Sequence, residues 1–248
     1  MKPIEVYFFP TMNGRKITIG LEEMSLPYVL KKVDIRKGDQ HQPDFLTISP
    51  NGRMPAIVDP DGPDGTPISV FESGAILLYL ARKTRRFYPT DERSRVAVEE
   101  WLMWQMSGLG PMTGQAGHFG VYAPLLVERS ELIAYSRTRY FNEVKRLHGV
   151  LDRRLANHEF VADEYSIADM SIAPWIEGVE LIGHDISQFR NVSRWYREVR
   201  SRPAVQKGWT VGDHLAPTTL SISDEEKIAS GKALFGLAAN PPNAAAEG

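Results

Sequence analysis

One change of texture, at Tyr88-Pro89, constrains this chain more than any other feature. Before it, short strand signals interleave with short helical ones; after it, strand signals vanish and long helical patterns take over. Such a switch implies a small sheet-and-helix unit followed by an all-helical one. In the first unit Ile4, Val6 and Phe8 alternate with Glu5, Tyr7 and Phe9 until Pro10 stops the run, a strand buried on at least one face. Ile17, Leu21 and Met24 then recur at helical spacing up to Pro27, with Asn13 as the expected cap. Tyr28 to Asp34 reads as a second strand, Pro43 to Ile48 as a short helix, Met54 to Asp59 as a third strand and Ile68 to Val70 as a fourth. Glu72-Ser73-Gly74 opens a helix carrying Ile76, Leu77 and Leu80, so the order is βαβαββα.

In the second unit helices are expected from about Asp91 to Gly117, broken near Gly108-Leu109-Gly110-Pro111, and from Pro124 to His158. Ser166-Ile167-Ala168-Asp169 has the form of a capping box, with Tyr165 as a staple, and opens a helix toward Ile182. Another helix runs from Val192 to Arg200 and stops before Arg202-Pro203. From about Ala216 the chain is polar and weakly periodic. Ser223-Asp224-Glu225-Glu226 can start a short helix, and Leu220, Ile222, Ile228, Leu234, Phe235 and Leu237 are apolar enough to dock, along a dimer contact or beside an active-site mouth. From about Asn240 no β-branched or aromatic anchor remains, so that tail is expected to be mobile and dispensable. The reading is an α+β chain of three parts: 1–88, 89–215 and an extension, 216–248.

Composition removes several functions. With 248 residues the chain buries roughly 75% of its unfolded surface and needs no staples. Its formal net charge of -2 gives no basic footprint for nucleic acid or anionic lipid. The absence of cysteine removes disulfides, thiolate metal sites and a cysteine nucleophile. The stretch Ile4 to Phe9 lacks the pattern of a signal peptide, and no apolar run approaches the ~18 residues of a membrane span, so a cytoplasmic protein without nucleic-acid or membrane partners is expected. The six histidines show no ligand spacing, so no metal is expected.

Chemistry concentrates where strands hand over to helices. Pro10-Thr11-Met12-Asn13-Gly14 delivers a hydroxyl and an amide beside helix N-terminal N–H groups, a place that favours an anion; Thr11 and Asn13 can also simply cap the helix, and the two roles can coexist. Met54-Pro55 either exposes backbone for an extended ligand through a cis peptide or opens an edge strand. Glu72-Ser73 is ordinary helix-start chemistry when taken alone. In the company of the other two segments it completes a groove for a small peptide, with Glu72 for an ammonium and Ser73 for a carboxylate. Tyr7 is set back within its strand.

The segments Phe9 to Lys16, Ser49 to Val58 and Phe71 to Leu80 resemble the glutathione site of the glutathione transferases, in particular the bacterial nu class, whose members act as disulfide-bond reductases. Trp101 to Gln105, Gly108 to Met112 and Tyr165 to Asp169 are similar to the same class, and the resemblance covers about residues 4 to 205. It implies a thioredoxin-like N-terminal domain, a helical C-terminal domain and a homodimer. It further implies that Thr11 and Asn13 face the glutathione sulfur, that Gln40 and Met54-Pro55 hold the middle of the tripeptide, that Glu72 and Ser73 bind its γ-glutamyl end, and that Arg139 is a further basic contact. Trp104, Gln115, His118 and Phe119 are expected by position to line a second-substrate pocket. Three activities share the glutathione thiolate: disulfide reduction, conjugation to an electrophile and hydroperoxide reduction. The fold also serves non-catalytic interaction proteins.

Overall fold

The computed structural model describes residues 2–177, 179, 182–216 and 221–235. The tail from Asn240, with Leu220 and Leu237, lies outside them.

Four strands form one sheet: β1 (Ile4–Phe8), β2 (Tyr28–Lys32), β3 (Ala56–Asp59) and β4 (Ile68–Phe71), in the order β2-β1-β3-β4. β1 runs parallel to β2, with Ile4 opposite Tyr28, and antiparallel to β3, with Val6 opposite Ile57. β3 is therefore interior, which overturns its reading as an edge strand; it starts after Pro55, so the missing N–H of that proline costs the ladder nothing. The Met54–Pro55 peptide is cis, as expected.

The alternation of β1 sends Ile4, Val6 and Phe8 to one face, where they are fully buried with α1 (Met12–Glu23) and α3 (Ser73–Thr84) through Ile17, Leu21, Ile76, Leu77 and Leu80. The other face holds a smaller cluster, Val33, Phe45 and Ala56 with Tyr7, under α2 (Pro43–Ile48). Thr11, not Asn13, caps α1: Thr11 has the extended backbone a cap requires (φ -104°, ψ 168°) and its hydroxyl accepts from the Gly14 N–H at 3.1 Å. Asn13 already lies inside the helix. Gly14 lets the end of β1 meet α1, because a Cβ there would sit 2.3 Å from the Phe9 carbonyl oxygen.

The helical part begins with α4 (Glu92–Trp104) and does not break at the glycines. A π-turn over Gln105–Leu109 carries the chain into α5 (Gly110–Gly117), and a second, His118–Tyr122, leads into α6 (Ala123–Leu126). The prolines expected to interrupt or open helices sit in the first turns of α5 and α6, where a missing N–H is tolerated. The long helix consequently begins at Glu131 rather than Pro124, as α7 (Glu131–Leu155). α8 (Ile167–Glu177) starts at the expected capping box, with Tyr165 edge-on to Phe87 and Phe160. After α9 (Arg190–Ser201) the chain does not stay irregular, because Pro203 occupies the first turn of α10 (Pro203–Thr210). The extension forms α11 (Asp224–Leu234) behind the Ser223–Glu226 capping box.

Candidate functional site

A cavity of about 680 Å³ opens between the sheet unit and the helices, floored by the starts of α1 and α3 and walled by the π-turn after α4, α5 and α8. Asn13, Met54, Pro55, Glu72, Ser73, Gln115 and His118 line it, bringing together residues from sequence positions up to about a hundred apart. Two helix N-termini thus face one space, an arrangement suited to anionic groups.

Asn13 is oriented from across the interface. The Trp175 indole N–H donates to its Oδ1 at 3.3 Å, which fixes the carbonyl end of an amide that lines the cavity. Thr11 does not line the cavity: its hydroxyl caps α1 and donates to the Met54 sulfur at 3.5 Å. Glu72 has a left-handed φ of 68° with ψ 117°, a conformation that costs a non-glycine residue about 1–3 kcal/mol and that concentrates at functional sites. Its carboxylate is exposed at the rim, where it accepts from the Asn51 amide at 3.4 Å.

Four other expected residues lie off the cavity wall. Gln40 is buried, with its Nε2 beside His41 at 3.3 Å and its Oε1 unpartnered. Arg139 sits on the exposed side of α7, 3.7 Å from Glu143. Trp104 packs edge-on against Trp101 at 5.1 Å, and Phe119 stacks on Tyr140 at 5.4 Å. Both aromatics are spent on helix packing. Tyr7 is a strand residue whose hydroxyl donates to Glu5, and burial followed by the Glu5 charge pushes it above the usual phenol range.

The sequence reading missed Lys16, Gln105, Met106, Trp175 and the full part played by Phe235, all of which line the cavity. Lys16 is 1% exposed, and burial lowers its ammonium to about 7 against an opposing pull from Glu72. Its signal was available: it stands three residues after Asn13, on the same helix face. Phe235, just after α11, lies edge-on to His118 at 4.3 Å and to Tyr122 at 5.5 Å, so the extension docks at the cavity mouth. Burial lowers the His118 imidazole below its ordinary value. Among the described residues no cluster of His, Asp and Glu has the makings of a metal site, and no helix is long and apolar enough to cross a membrane.

Comparison with known proteins places this geometry. A family model described as the glutathione S-transferase N-terminal domain matches residues 13–83, and one described as the glutathione S-transferase C-terminal domain matches residues 120–203. The disulfide-bond oxidoreductase YfcG of Escherichia coli is 48% identical over 203 residues, covering 81% of this chain and 92% of that protein. The yeast transcriptional regulator URE2 is 31% identical over 235 residues, covering 79% of this chain and 64% of that protein. A Burkholderia graminis glutathione transferase, solved with two glutathione molecules per subunit, superposes with a TM-score of 0.77 at 43% identity, over 84% of this chain and 88% of its own.

Proposed function

The chain belongs to the glutathione S-transferase family, and from that membership we propose that it is a cytoplasmic nu-class enzyme that uses glutathione to reduce disulfide bonds. One observation carries the reading: Asn13, its carbonyl oxygen held by Trp175, lines the same cavity as Glu72 and Ser73. Glu72 and Ser73 then take the ammonium and carboxylate of the γ-glutamyl end, the Met54 backbone takes the middle, and the sulfur lies against Asn13 at the start of α1. Thr11 supports this from behind by fixing the first turn. In this division residues 1–88 hold glutathione and residues 89–215 wall the second substrate, with Phe235 contributed from 216–248. Gln40 and Arg139 are left without contact roles.

A protein without cysteine must borrow its thiol. Lowering a thiol pKa from ~8.5 to ~6.5 takes about 2.7 kcal/mol, within reach of hydrogen bonds to the thiolate and a helix N-terminus. The thiolate attacks one sulfur of the substrate disulfide, forming a mixed disulfide and expelling the other sulfur as a thiolate, which takes up a proton. A second glutathione thiolate then attacks the mixed disulfide, yielding glutathione disulfide and the second reduced thiol. The name of the Escherichia coli relative supports the reaction, and the glutathione bound in the Burkholderia neighbour supports the thiol. Steady-state assay with hydroxyethyl disulfide against chlorodinitrobenzene tests it: faster disulfide turnover is expected, and faster conjugation would reassign the enzyme. Inactivity toward both would favour the interaction role for which the similarity to URE2 speaks.

Two further results are expected. Phe235→Ala should change the ratio of kcat/KM for an aromatic electrophile to that for a small disulfide by about two- to tenfold, the equivalent of the ~0.5–1.5 kcal/mol an aromatic contact carries. An unchanged ratio would remove Phe235 from the second-substrate wall. We also propose a homodimer, because apolar side chains stand in solvent on two helices: Val96 and Met103 on α4 are 44% and 49% exposed, and Leu132 and Tyr135 on α7 are 60% and 81% exposed. Sedimentation at micromolar concentration should give twice the monomer mass, and a monomer would refute the assembly.

A further inference from the structure

Lys16 reaches from the second turn of α1 to the inner end of the cavity. Its ammonium donates to Gln105 Oε1 at 2.6 Å and to Ser73 Oγ at 3.3 Å, lies 3.5 Å from the Met106 sulfur, and stands over the Trp175 ring at 5.9 Å. The side chain is 1% exposed, yet among the described residues no carboxylate pairs with it. Burying an ammonium without a counter-charge is costly, and Met106 and Trp175 would pack equally well against a neutral side chain. A charge at this position is therefore in want of an anion.

Gln105 supplies an independent observation. It is fully buried, its Oε1 accepts from both Lys16 and the Ser171 hydroxyl, each at 2.6 Å, and its Nε2 donors have no partner among the described residues. The amide rests over Gly110, where a Cβ would come within 2.5 Å of Nε2, so the glycine keeps open the ground this donor occupies. Gln105, Gly110, Lys16 and Ser73 all line the cavity. The π-turn that begins at Gln105 places it there, as π-turns often do at functional sites. Unsatisfied buried donors around a cavity define a place for acceptor oxygens.

We propose that Lys16 is a positioning residue for an α-amino-acid headgroup: by donating to Ser73 Oγ it fills an acceptor position and leaves the Ser73 hydroxyl proton, which otherwise reaches the Met106 sulfur at 3.5 Å, to donate to the ligand carboxylate, and with Gln105 Nε2 it makes the inner end of the cavity a carboxylate subsite. The ammonium of the same headgroup falls to Glu72 at the rim. The inference rests on the glutathione reading and adds to it a buried cation and an amide donor behind Glu72 and Ser73.

The groups around Lys16 define the test. Glu72 and Ser73 at the start of α3, Gln105 and Met106 on the π-turn, Ser171 and Trp175 on α8, and Asn13 on α1 surround it, with Glu72 the charged one among them; Arg53 and His118 lie elsewhere on the wall. Burial holds the His118 imidazole below its ordinary value and lowers the Lys16 ammonium to about 7, so the lysine loses charge as pH rises from 6.5 to 8.5.

The probe is S-methylglutathione, which has no thiol to titrate, bound to the full chain in a calorimeter. Wild-type affinity should fall about tenfold from pH 6.5 to 8.5 as the ammonium loses its proton. Lys16→Met should bind about tenfold more weakly at pH 6.5, lose the lysine's share of the pH dependence while keeping the share that comes from the probe's own α-ammonium on Glu72, and melt no lower than wild type. Converting the γ-glutamyl α-carboxylate of the probe to an amide should weaken binding to wild type by about tenfold more than it weakens binding to Lys16→Met, in which Ser73 and Gln105 still meet the headgroup. A flat wild-type profile would overturn the proposal without need of any variant, and so would wild-type discrimination between acid and amide in Lys16→Met, both leaving the glutathione reading intact. Failure of wild type to bind the probe at all would remove that reading and this one with it.

Discussion

Asn13→Ala should lower glutathione-dependent disulfide turnover by about 10²- to 10³-fold while leaving the fold intact, the loss expected when a preorganised donor to an anionic sulfur is removed. Among the described residues the side chain's hydrogen bond is the 3.3 Å one it accepts from Trp175, so truncation leaves the indole N–H without its partner. Asn13→Asp sharpens the test. It keeps an acceptor for Trp175 but sets a carboxylate oxygen where the amide offered N–H groups, so it should be at least as damaging as alanine. Equal activity in both variants and wild type would mean that Asn13 does not touch sulfur. Thr11→Ala needs a different control, because its hydroxyl caps α1 and its loss costs about 1 kcal/mol of stability. Its turnover must be compared at equal folded fraction, and Thr11→Ser should restore the cap.

The two threonine and asparagine roles show what sequence conveyed and where it stopped. Strand and helix periods placed β1, α1, α2 and α3 within a few residues, because a period of two and a period near 3.6 are imposed by burial on one face. Thr11 and Asn13 both serve as caps by residue type, and the backbone angles decide for Thr11. The π-turns at Gln105 and His118 were invisible, since inserting one residue per turn needs no special composition, and glycines and a proline that normally mark a break were absorbed by them. The second π-turn holds Phe119 against Tyr140, and the long helix begins only at Glu131. The sequence assigns Lys16 no role, because a lysine beside Arg15 reads as a solvated helix face until its depth is known. By contrast, the docking of the extension was legible: Ser223 to Glu226 carried the cap and Phe235 the anchor.

The residue on which the site depends for its shape lies away from the cavity. Asp169, fully buried, accepts from the N–H groups of Val161 (3.2 Å) and Ser166 (3.0 Å), the Ser166 hydroxyl (3.3 Å) and the Trp195 indole (2.8 Å). It thereby fixes the start of α8, the helix that carries Ser171 to Gln105 and Trp175 to Asn13. Asp169→Ala should lower the unfolding free energy by about 3–5 kcal/mol in denaturant titration, because it strands buried donors at once. Asp169→Asn should rescue little, since both carboxylate oxygens accept and an amide nitrogen would confront a donor. Burial raises the Asp169 carboxyl to about 6, the hydrogen bonds opposing, so the folded chain holds its proton more tightly than the unfolded one. That contribution is complete below about pH 4 and is lost as pH rises through 6, so the stability gap between wild type and Asp169→Ala should be about 1 kcal/mol wider at pH 5 than at pH 8. A gap that narrowed on acidification would mean that Asp169 is held chiefly as a carboxylate by its donors, and a gap near zero at both values would mean that α8 is anchored elsewhere.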